Sequence, residues 1–266
     1  MDTLIQVDGL TTRYFEEGSG PAVVLLHGIS LGSSSDVWEE ELGPLARGGF
    51  RVLAYDQPGF GLTENPKDFS GAYQTNFLLA FMDALGIERA ALIGHSYSGQ
   101  IAVRHAIQNP RRVVKVVVVA TGSLLPPLPG EEPAPDGQGG DDLPPSLEST
   151  RKILEGQLFD KRVITPEVVE RRYRMSTGKN FEAHLERKKV RQPQKDLVPL
   201  WKRLKEVPVP LLMLYGSHDR GRAAERCAVL REREPALQIE VIPNASHLLM
   251  SDARETFRRK VLDFLS

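Results

Sequence analysis

The sequence predicts an α/β fold with a mostly parallel eight-stranded sheet flanked by helices, and three observations support this. Short apolar runs, typical of strands buried on both faces, recur along the chain. Segments of helical periodicity lie between most of these runs, and such alternation favours right-handed crossovers and a mainly parallel sheet. One long polar segment interrupts the alternation, which indicates an insertion rather than a second domain.

The expected strands and helices follow in chain order. Strands 3–7 and 10–15 flank Asp8-Gly9, a strong signal for a β-hairpin. The six later strands are expected at 22–26, 50–55, 90–93, 113–120, 210–215 and 237–242. The helices between and after them are expected at 36–47, 73–85, 97–108, 222–233 and 252–265.

The insertion is predicted to be a helical lid of residues 123–207, placed after the sixth strand, with residues 1–122 and 208–266 forming the core. Its first part, 126–145, is rich in Pro and Gly and buries little surface. Its second part shows the pattern of charged amphipathic helices, one of them starting near Pro166. A lid in this place would cover the carboxyl edge of the sheet, where such folds bind ligands.

The composition excludes several classes of protein. With 34 basic and 35 acidic residues, the net charge of −1 argues against a nucleic-acid-binding protein. The single cysteine, Cys227, excludes an internal disulfide and a cysteine-based metal site. No apolar run reaches the roughly 18–20 residues that span a bilayer, and residues 1–20 lack the pattern of a signal peptide.

These exclusions define the expected partners. We expect a cytoplasmic protein that acts on a small-molecule substrate, without metal, cofactor, nucleic-acid or membrane partners. Homo-oligomerisation and the role of the Pro- and Gly-rich segment are left open by the sequence.

The strongest motif surrounds Ser96. Gly94-His95-Ser96-Tyr97-Ser98-Gly99 follows an expected strand and precedes an expected helix. A nucleophile elbow needs small neighbours because its central residue is strained and the chain folds closely around it. The usual pattern is Gly-x-Ser-x-Gly, and here the small residue Ser98 replaces the second glycine. The alternative is an ordinary serine at a helix N-terminus.

A nucleophilic serine needs a base and a group that orients the base. Asp219 and His247 each follow the carboxyl end of an expected strand, as Ser96 does, in the chain order Ser, Asp, His. We therefore expect these three residues to form a catalytic triad. The alternatives are a helix cap for Asp219 and a surface loop position for His247. The backbone amides of Ile29 and Tyr97 are expected to form an oxyanion hole.

Together these motifs resemble the α/β-hydrolase superfamily, over nearly the whole chain outside the insertion. The matching segments are His27-Gly28, 56–61, 94–99, 216–219 and 246–247. The resemblance implies the α/β-hydrolase fold and a cofactor-free hydrolase. The haloalkane dehalogenases and epoxide hydrolases of the superfamily carry aspartate, not serine, at the nucleophile position.

Within the superfamily the chain is most similar to the carbon–carbon bond hydrolases that cleave meta-cleavage products of aromatic catabolism. Residues 165–173 resemble the lid helix that carries a substrate-carboxylate arginine in that family, and Arg172 takes this place. The alternative is that Arg172 belongs to a solvated face. The resemblance also implies substrate-binding positions at His95, Ser30 and Leu248, although this chain has His95 where the family often has Asn and Leu248 where it usually has Trp.

The function implied is a serine hydrolase that cleaves a carbon–carbon bond in a vinylogous diketone acid. A carboxylesterase or lactonase acting on a small ester would use the same triad. A non-catalytic small-molecule receptor on the same fold is the second alternative. The sequence leaves the substrate and the pathway open.

Overall fold

An eight-stranded sheet is the centre of the computed structural model, which describes residues 2–131, 144–190 and 199–266. The strands are β1 (Asp2–Val7), β2 (Leu10–Glu17), β3 (Ala22–Leu26), β4 (Arg51–Tyr55), β5 (Ala90–His95), β6 (Val113–Val119), β7 (Leu211–Gly216) and β8 (Gln238–Ile242). Their order in the sheet is β1-β2-β4-β3-β5-β6-β7-β8. β1 and β2 are antiparallel to their neighbours, and the other pairs are parallel. The predicted fold class is confirmed.

Helices pack on both faces of the sheet. They are α1 (Glu39–Arg47), α2 (Gly71–Ala84), α3 (Ser98–Gln108), α4 (Leu147–Glu155), α5 (Pro166–Arg174), α6 (Lys179–Val190), α7 (Ala223–Arg233), α8 (Leu249–Asp252) and α9 (Arg254–Leu265). Short 3-10 helices occupy Ser35–Trp38, Pro110–Arg112, Gly122–Leu124, Lys161–Val163 and Leu200–Glu206. Apolar residues of α2, α3 and α7 form the core on one face, and those of α1 and α9 form the core on the other. Within these described ranges, no helix combines the length and the apolar character needed to cross a membrane.

Two expected helices are divided in the structure. The helix expected at 36–47 begins as the 3-10 turn Ser35–Trp38 and becomes α-helical only from Glu39. The helix expected at 252–265 is interrupted at Ala253, whose φ of −128° and ψ of 46° are not helical. Periodicity alone did not reveal these breaks, because it indicates which face of a segment is apolar and not where the backbone leaves the helical conformation.

A buried ion-pair cluster accounts for the first break. The Arg13 guanidinium lies 2.8 Å from Asp56 Oδ2 and also contacts the carboxylate of Asp36. The backbone N–H and the hydroxyl of Ser35 both donate to Asp56 Oδ1, each at 2.7 Å. These contacts fix the chain just before α1 in a non-α conformation, and they anchor the loop that follows β3.

The insertion between β6 and β7 contains α4, α5, α6 and the 3-10 helix Leu200–Glu206. α5 starts as expected, with Pro166 in its first turn and the Thr165 hydroxyl accepting a hydrogen bond from the amide of Val168. The boundaries 1–122, 123–207 and 208–266 remain a prediction. Of the Pro- and Gly-rich segment 126–145, residues 132–143 lie outside the described residues.

Candidate active site

Ser96 lies in a sharp turn between β5 and α3. Its φ is +57°, a left-handed conformation that is strained for a residue with a side chain. The two glycines of the motif permit the turn: a Cβ on Gly94 would lie 2.4 Å from the Ser98 carbonyl oxygen, and one on Gly99 would lie 2.1 Å from Thr121 Oγ1. The close packing holds Ser96 in its strained geometry at the carboxyl end of β5.

The departure from the usual motif, Ser98, has a structural role that glycine could not fill. Its buried hydroxyl donates to the backbone carbonyl of His27 at 2.5 Å and accepts from Gln57 Nε2 at 3.0 Å. The His27 ring in turn accepts a hydrogen bond at Nε2 from the backbone N–H of Gln57, and its Nδ1–H donates to the backbone carbonyl of Gly28. Burial lowers the pKa of His27, so this ring is neutral and serves to brace the loop after β3.

The structure brings Ser96, Asp219 and His247 together, and they follow the carboxyl ends of β5, β7 and β8, respectively. Ser96 Oγ lies 3.0 Å from His247 Nε2, and His247 Nδ1 lies 2.9 Å from Asp219 Oδ1. The His247 and Asp219 side chains are almost fully buried, at 4% and 3% exposure. This chain of hydrogen bonds has the geometry that a general base and its orienting carboxylate require.

The proposed oxyanion hole lies beside Ser96. A Cβ on Gly28 would lie 3.1 Å from Ser96 Cβ, so the loop that carries Ile29 packs directly against the elbow. Within the described ranges, the amide of Ile29 donates to no acceptor. The second proposed donor, the amide of Tyr97, comes directly after Ser96, next to the start of α3. An N–H group at this place gains from the partial positive charge of a helix N-terminus.

A cavity of about 360 Å³ lies under the insertion. Its wall includes Gly28, which packs against Ser96, and His95, which precedes Ser96, whereas Ser96 and His247 are not among the described wall residues. Its lining includes all four residues predicted to bind substrate, together with a residue from the segment just after α4: Ser30, His95, Arg172, Leu248 and Gln157. A cavity of this size suits a small-molecule ligand.

Arg172 contributes a positive charge to this cavity, and its side chain is only partly exposed. Its Nε and NH2 atoms are buried and have no hydrogen-bond partner among the described residues. Burial, followed by the charge of Arg220, lowers its pKa to about 10, so Arg172 is still charged at neutral pH. The adjacent residue on α5, Arg171, has a different environment, because its side chain is exposed and paired with Glu39. The alternative of a solvated face therefore describes Arg171 and not Arg172.

His95 packs against His247 and holds its backbone in place. Its Nε2–H donates to the His247 backbone carbonyl at 2.9 Å, and the two ring centroids are 4.9 Å apart. Burial, with the nearby charge of His247 as the next cause, lowers the pKa of His95 well below its ordinary value of 6.5. His95 is therefore neutral, and its Nδ1 is turned toward Gly28 on the cavity wall.

Acidification is expected to destabilise the fold through His95. Below pH 6.5 the unfolded chain binds a proton at this residue, whereas the folded protein does so only at its much lower pKa. The unfolded state then holds more protons, so the free energy of unfolding falls as the pH drops below 6.5. Urea unfolding at about pH 5 and about pH 7.5 measures this difference, and His95→Asn should reduce it.

The matched control for this measurement is His218→Asn, because His218 is exposed. Part of the pH dependence should survive in His95→Asn, since burial also lowers the pKa values of His27 and His105. An unchanged pH dependence in His95→Asn would contradict the prediction.

Arg220 is a residue of the site that the sequence analysis missed. Its NH2 group lies 3.1 Å from His247 Nε2, next to Ser96 Oγ. The sequence feature that could have indicated Arg220 is its place directly after Asp219, which puts the two residues in the same loop. The direction of a long side chain is not readable from that spacing.

Two further residues connect the insertion to the site, and no motif marked them. Gln157 Nε2 donates to Ser30 Oγ at 3.0 Å, and the Gln157 backbone carbonyl accepts from the amide of Leu248 at 2.9 Å. The Asp252 carboxylate accepts from the amides of Ser246 at 2.8 Å and Phe159 at 3.0 Å. The segment just after α4 is thus hydrogen-bonded both to the loop after β3 and to the loop that carries His247.

Comparison with known proteins identifies the family of this fold and site. A family model described as the alpha/beta hydrolase family matches residues 23–259. The chain belongs to the alpha/beta hydrolase family. The predicted enzyme class, a hydrolase, is thereby supported at the level of the family, and the curated relatives point the same way.

Relatives of this alpha/beta hydrolase include enzymes named for meta-cleavage products. A 2-hydroxy-6-oxo-6-phenylhexa-2,4-dienoate hydrolase of Burkholderia cepacia is 29% identical over 269 residues, covering 94% of this chain and 90% of the relative. A 2-hydroxymuconate semialdehyde hydrolase of Pseudomonas putida is 28% identical, covering 97% and 92%. The predicted resemblance to meta-cleavage product hydrolases is confirmed.

Solved structures of alpha/beta hydrolases share the fold. The meta-cleavage product hydrolase CumD of Pseudomonas fluorescens superposes with a TM-score of 0.77 at 24% identity, covering 99% of this chain and 97% of that one. The serine hydrolase CarC, involved in carbazole degradation, gives a TM-score of 0.80 at 23% identity, covering 100% and 98%. At these identities the likeness shows a common fold.

Proposed function

We propose that this alpha/beta hydrolase cleaves a carbon–carbon bond in a vinylogous diketone acid, with Ser96, His247 and Asp219 as its catalytic triad. The observation that carries the proposal is the Arg172 guanidinium on the cavity wall, whose Nε and NH2 atoms are buried without a partner among the described residues. The same wall includes His95, the residue before Ser96. Burying a charge without a partner is costly, so its presence points to an anionic ligand. The substrates named for the curated relatives are acids or semialdehydes of this kind.

Arg172 would bind the substrate carboxylate through two parallel N–H···O bonds. A planar guanidinium suits this bidentate contact, and such charge-assisted bonds are stronger than neutral ones. Ser30 and His95 line the same cavity with polar atoms, and Leu248 adds an apolar wall. This set of side chains would hold a small conjugated acid and orient its distal carbonyl toward Ser96.

Bond cleavage would then proceed in two stages. The dienol first ketonises, so that its hydroxyl proton is transferred to a carbon of the chain. His247 Nε2 next takes a proton from the attacking group, which is either the Ser96 hydroxyl or a water. The oxygen of this group attacks the distal carbonyl at the same time. The amides of Ile29 and Tyr97 would stabilise the oxyanion. The carbon–carbon bond breaks as its electron pair moves into a conjugated dienolate, and the proton on His247 passes to the leaving group. If Ser96 is the attacking group, the acyl half stays on its oxygen as an ester, and a water that loses its proton to His247 then releases it as a carboxylic acid. If water attacks, the carboxylic acid forms directly.

The test follows the visible absorbance of a yellow dienol keto-acid ring-fission product. Wild-type protein is expected to bleach it, since cleavage destroys the conjugated chromophore. Hydrolysis of small esters without bleaching would favour the carboxylesterase or lactonase alternative. If the protein binds the keto-acid but does not cleave it, and if Ser96 does not react with a fluorophosphonate, the protein would instead be a receptor.

A further inference from the structure

One proton transfer of the proposed mechanism has no residue assigned to it. The dienol has to ketonise before the carbon–carbon bond breaks, and its hydroxyl proton must pass to an atom that can accept it. The triad has no free lone pair for this step, because His247 donates its Nδ1–H to Asp219 and its Nε2 is shared by Ser96 and Arg220. A separate acceptor on the cavity wall is therefore needed.

His95 carries such a lone pair. Its Nε2 lies 2.9 Å from the His247 backbone carbonyl, which can only accept a hydrogen bond, so Nε2 carries the ring hydrogen and Nδ1 is unprotonated in the neutral ring. No donor among the described residues binds this Nδ1, and the atom is not sealed from solvent as the unpartnered Nε of Arg172 is. Nδ1 is therefore open to the cavity, whose wall includes His95.

The second imidazole of the described cavity wall, His27, has no free nitrogen. Its Nε2 accepts from the backbone N–H of Gln57, and its Nδ1–H donates to the Gly28 carbonyl. A side chain at position 28 would crowd the free nitrogen of His95, since a Cβ on Gly28 would lie 3.1 Å from His95 Nδ1. Among the ring nitrogens of the wall that the structure describes, His95 Nδ1 is thus the unoccupied acceptor.

The place of His95 suits an enol beside the substrate carboxylate. A 2-hydroxydienoate carries its hydroxyl on the carbon next to the carboxylate, which Arg172 would bind. Burial lowers the pKa of His95, and the charges of His247, Arg220 and Arg172 lower it further, so Arg172 lies within electrostatic reach of this ring. His95 also directly precedes Ser96. A substrate that extends from Arg172 to Ser96 therefore brings its hydroxyl along the wall that contains His95.

We propose that His95 Nδ1 is the base of ketonisation, which accepts the enol proton and returns it to the carbon next to the distal carbonyl. The inference rests on the proposed function. The enol O–H bond breaks, and its electron pair forms the carbonyl beside the carboxylate. The pairs of the two conjugated double bonds shift along the chain, and a C–H bond forms next to the distal carbonyl. His95 is neutral before and after, and the substrate is isomerised without loss of atoms.

The weak basicity of His95 is compatible with this role. Because burial keeps its pKa well below the ordinary value, the ring is unprotonated at neutral pH and readily gives up a proton once it holds one. The positive charge of Arg172 beside the enol favours the dienolate, so a weak base suffices.

His95→Gln separates the base from the structural role of the residue. The glutamine amide nitrogen can take the place of Nε2 and donate to the His247 carbonyl, but no basic nitrogen takes the place of Nδ1. The test compares kcat for the dienol keto-acid with kcat for 4-nitrophenyl butyrate, an ester that uses the same triad and has no enol. The ratio of the dienol rate to the ester rate should fall at least about tenfold, because a general base contributes about 10²–10⁴-fold.

The pH dependence is a second readout, and it needs the dienol alone. Above the pH at which the free dienol ionises, the substrate arrives as its dienolate and has no hydroxyl proton to give up. The defect of His95→Gln relative to wild type should therefore shrink as the pH rises. A variant that had lost only packing would keep the same defect at every pH.

The matched control is His218→Gln, the same change at an exposed position, which should leave both rates unchanged. If His95→Gln does not fold, His95→Asn removes the basic nitrogen with a shorter amide, and the same two readouts apply. Equal slowing of dienol and ester, an unchanged dienol rate, or a defect that does not vary with pH would overturn the inference and leave the carbon–carbon proposal intact. A wild type that hydrolyses the ester but not the dienol would refute the carbon–carbon proposal and this inference with it.

Discussion

Ser96→Ala is expected to abolish bleaching of the dienol keto-acid, with kcat at least about a thousandfold below that of wild type. The variant removes the hydroxyl that lies 3.0 Å from His247 Nε2, so no side-chain nucleophile or proton donor remains at that position. The fold should persist, because the Ser96 conformation is held by its backbone bond to Val119 and by the glycines around the turn. Initial rates at saturating substrate measure the loss.

The control is Ser19→Ala, the same chemical change at an exposed position in the loop between β2 and β3. It should leave kcat unchanged, and both variants should unfold at a temperature close to that of wild type. A Ser96→Ala protein that keeps near-wild-type turnover would exclude Ser96 as the nucleophile.

Arg172→Met is expected to weaken substrate binding and, at the same time, to stabilise the free protein. Without the guanidinium, KM for a carboxylate substrate should rise about tenfold or more, because a charge-assisted bidentate contact is lost. The free energy of unfolding should rise by about 1 kcal/mol, because a guanidinium with two buried, unpaired nitrogens is replaced by a flexible apolar side chain. Steady-state kinetics and urea unfolding give the two values.

Arg174→Met is the matched control for this pair of effects. Arg174 is exposed on the same helix, so its replacement should change neither KM nor stability by a comparable amount. If Arg172→Met destabilised the protein and left KM unchanged, Arg172 would be a structural residue.

The fold was predictable because its signals are local and repeated. The six apolar runs of the sequence correspond to β3–β8, since strands buried on both faces need continuous apolar residues, and the alternation around the Asp8-Gly9 hairpin corresponds to β1 and β2. The missed details depend on tertiary contacts. The 3-10 turn before α1 follows from the Arg13–Asp56–Asp36 cluster, whose members are far apart in sequence.

The candidate site was predictable where backbone topology places a residue. Ser96, Asp219 and His247 each follow a core strand, and parallel strands bring their carboxyl ends to one edge. Side-chain direction was less accessible. Both Arg171 and Arg172 lie on the cavity wall, but only Arg172 has buried, unpaired guanidinium nitrogens, whereas Arg171 is exposed and paired with Glu39. The sequence could not separate the two, because adjacent residues on a helix differ only in azimuth. Arg220 was missed because the direction of its side chain is likewise not readable from its place in the chain.

The hydrogen bonds of Gln157 and Asp252 have a consequence for how the substrate range of this enzyme can diverge. Both residues join the segment just after α4 to loops of the core that carry Ser30, Ser246 and Leu248. An insertion transplanted from a relative would lose these bonds unless the two core loops were exchanged with it. We therefore expect single substitutions in the cavity wall to change specificity more readily than grafting of whole insertions, and chimeras to be viable only when the insertion and these two loops come from the same parent.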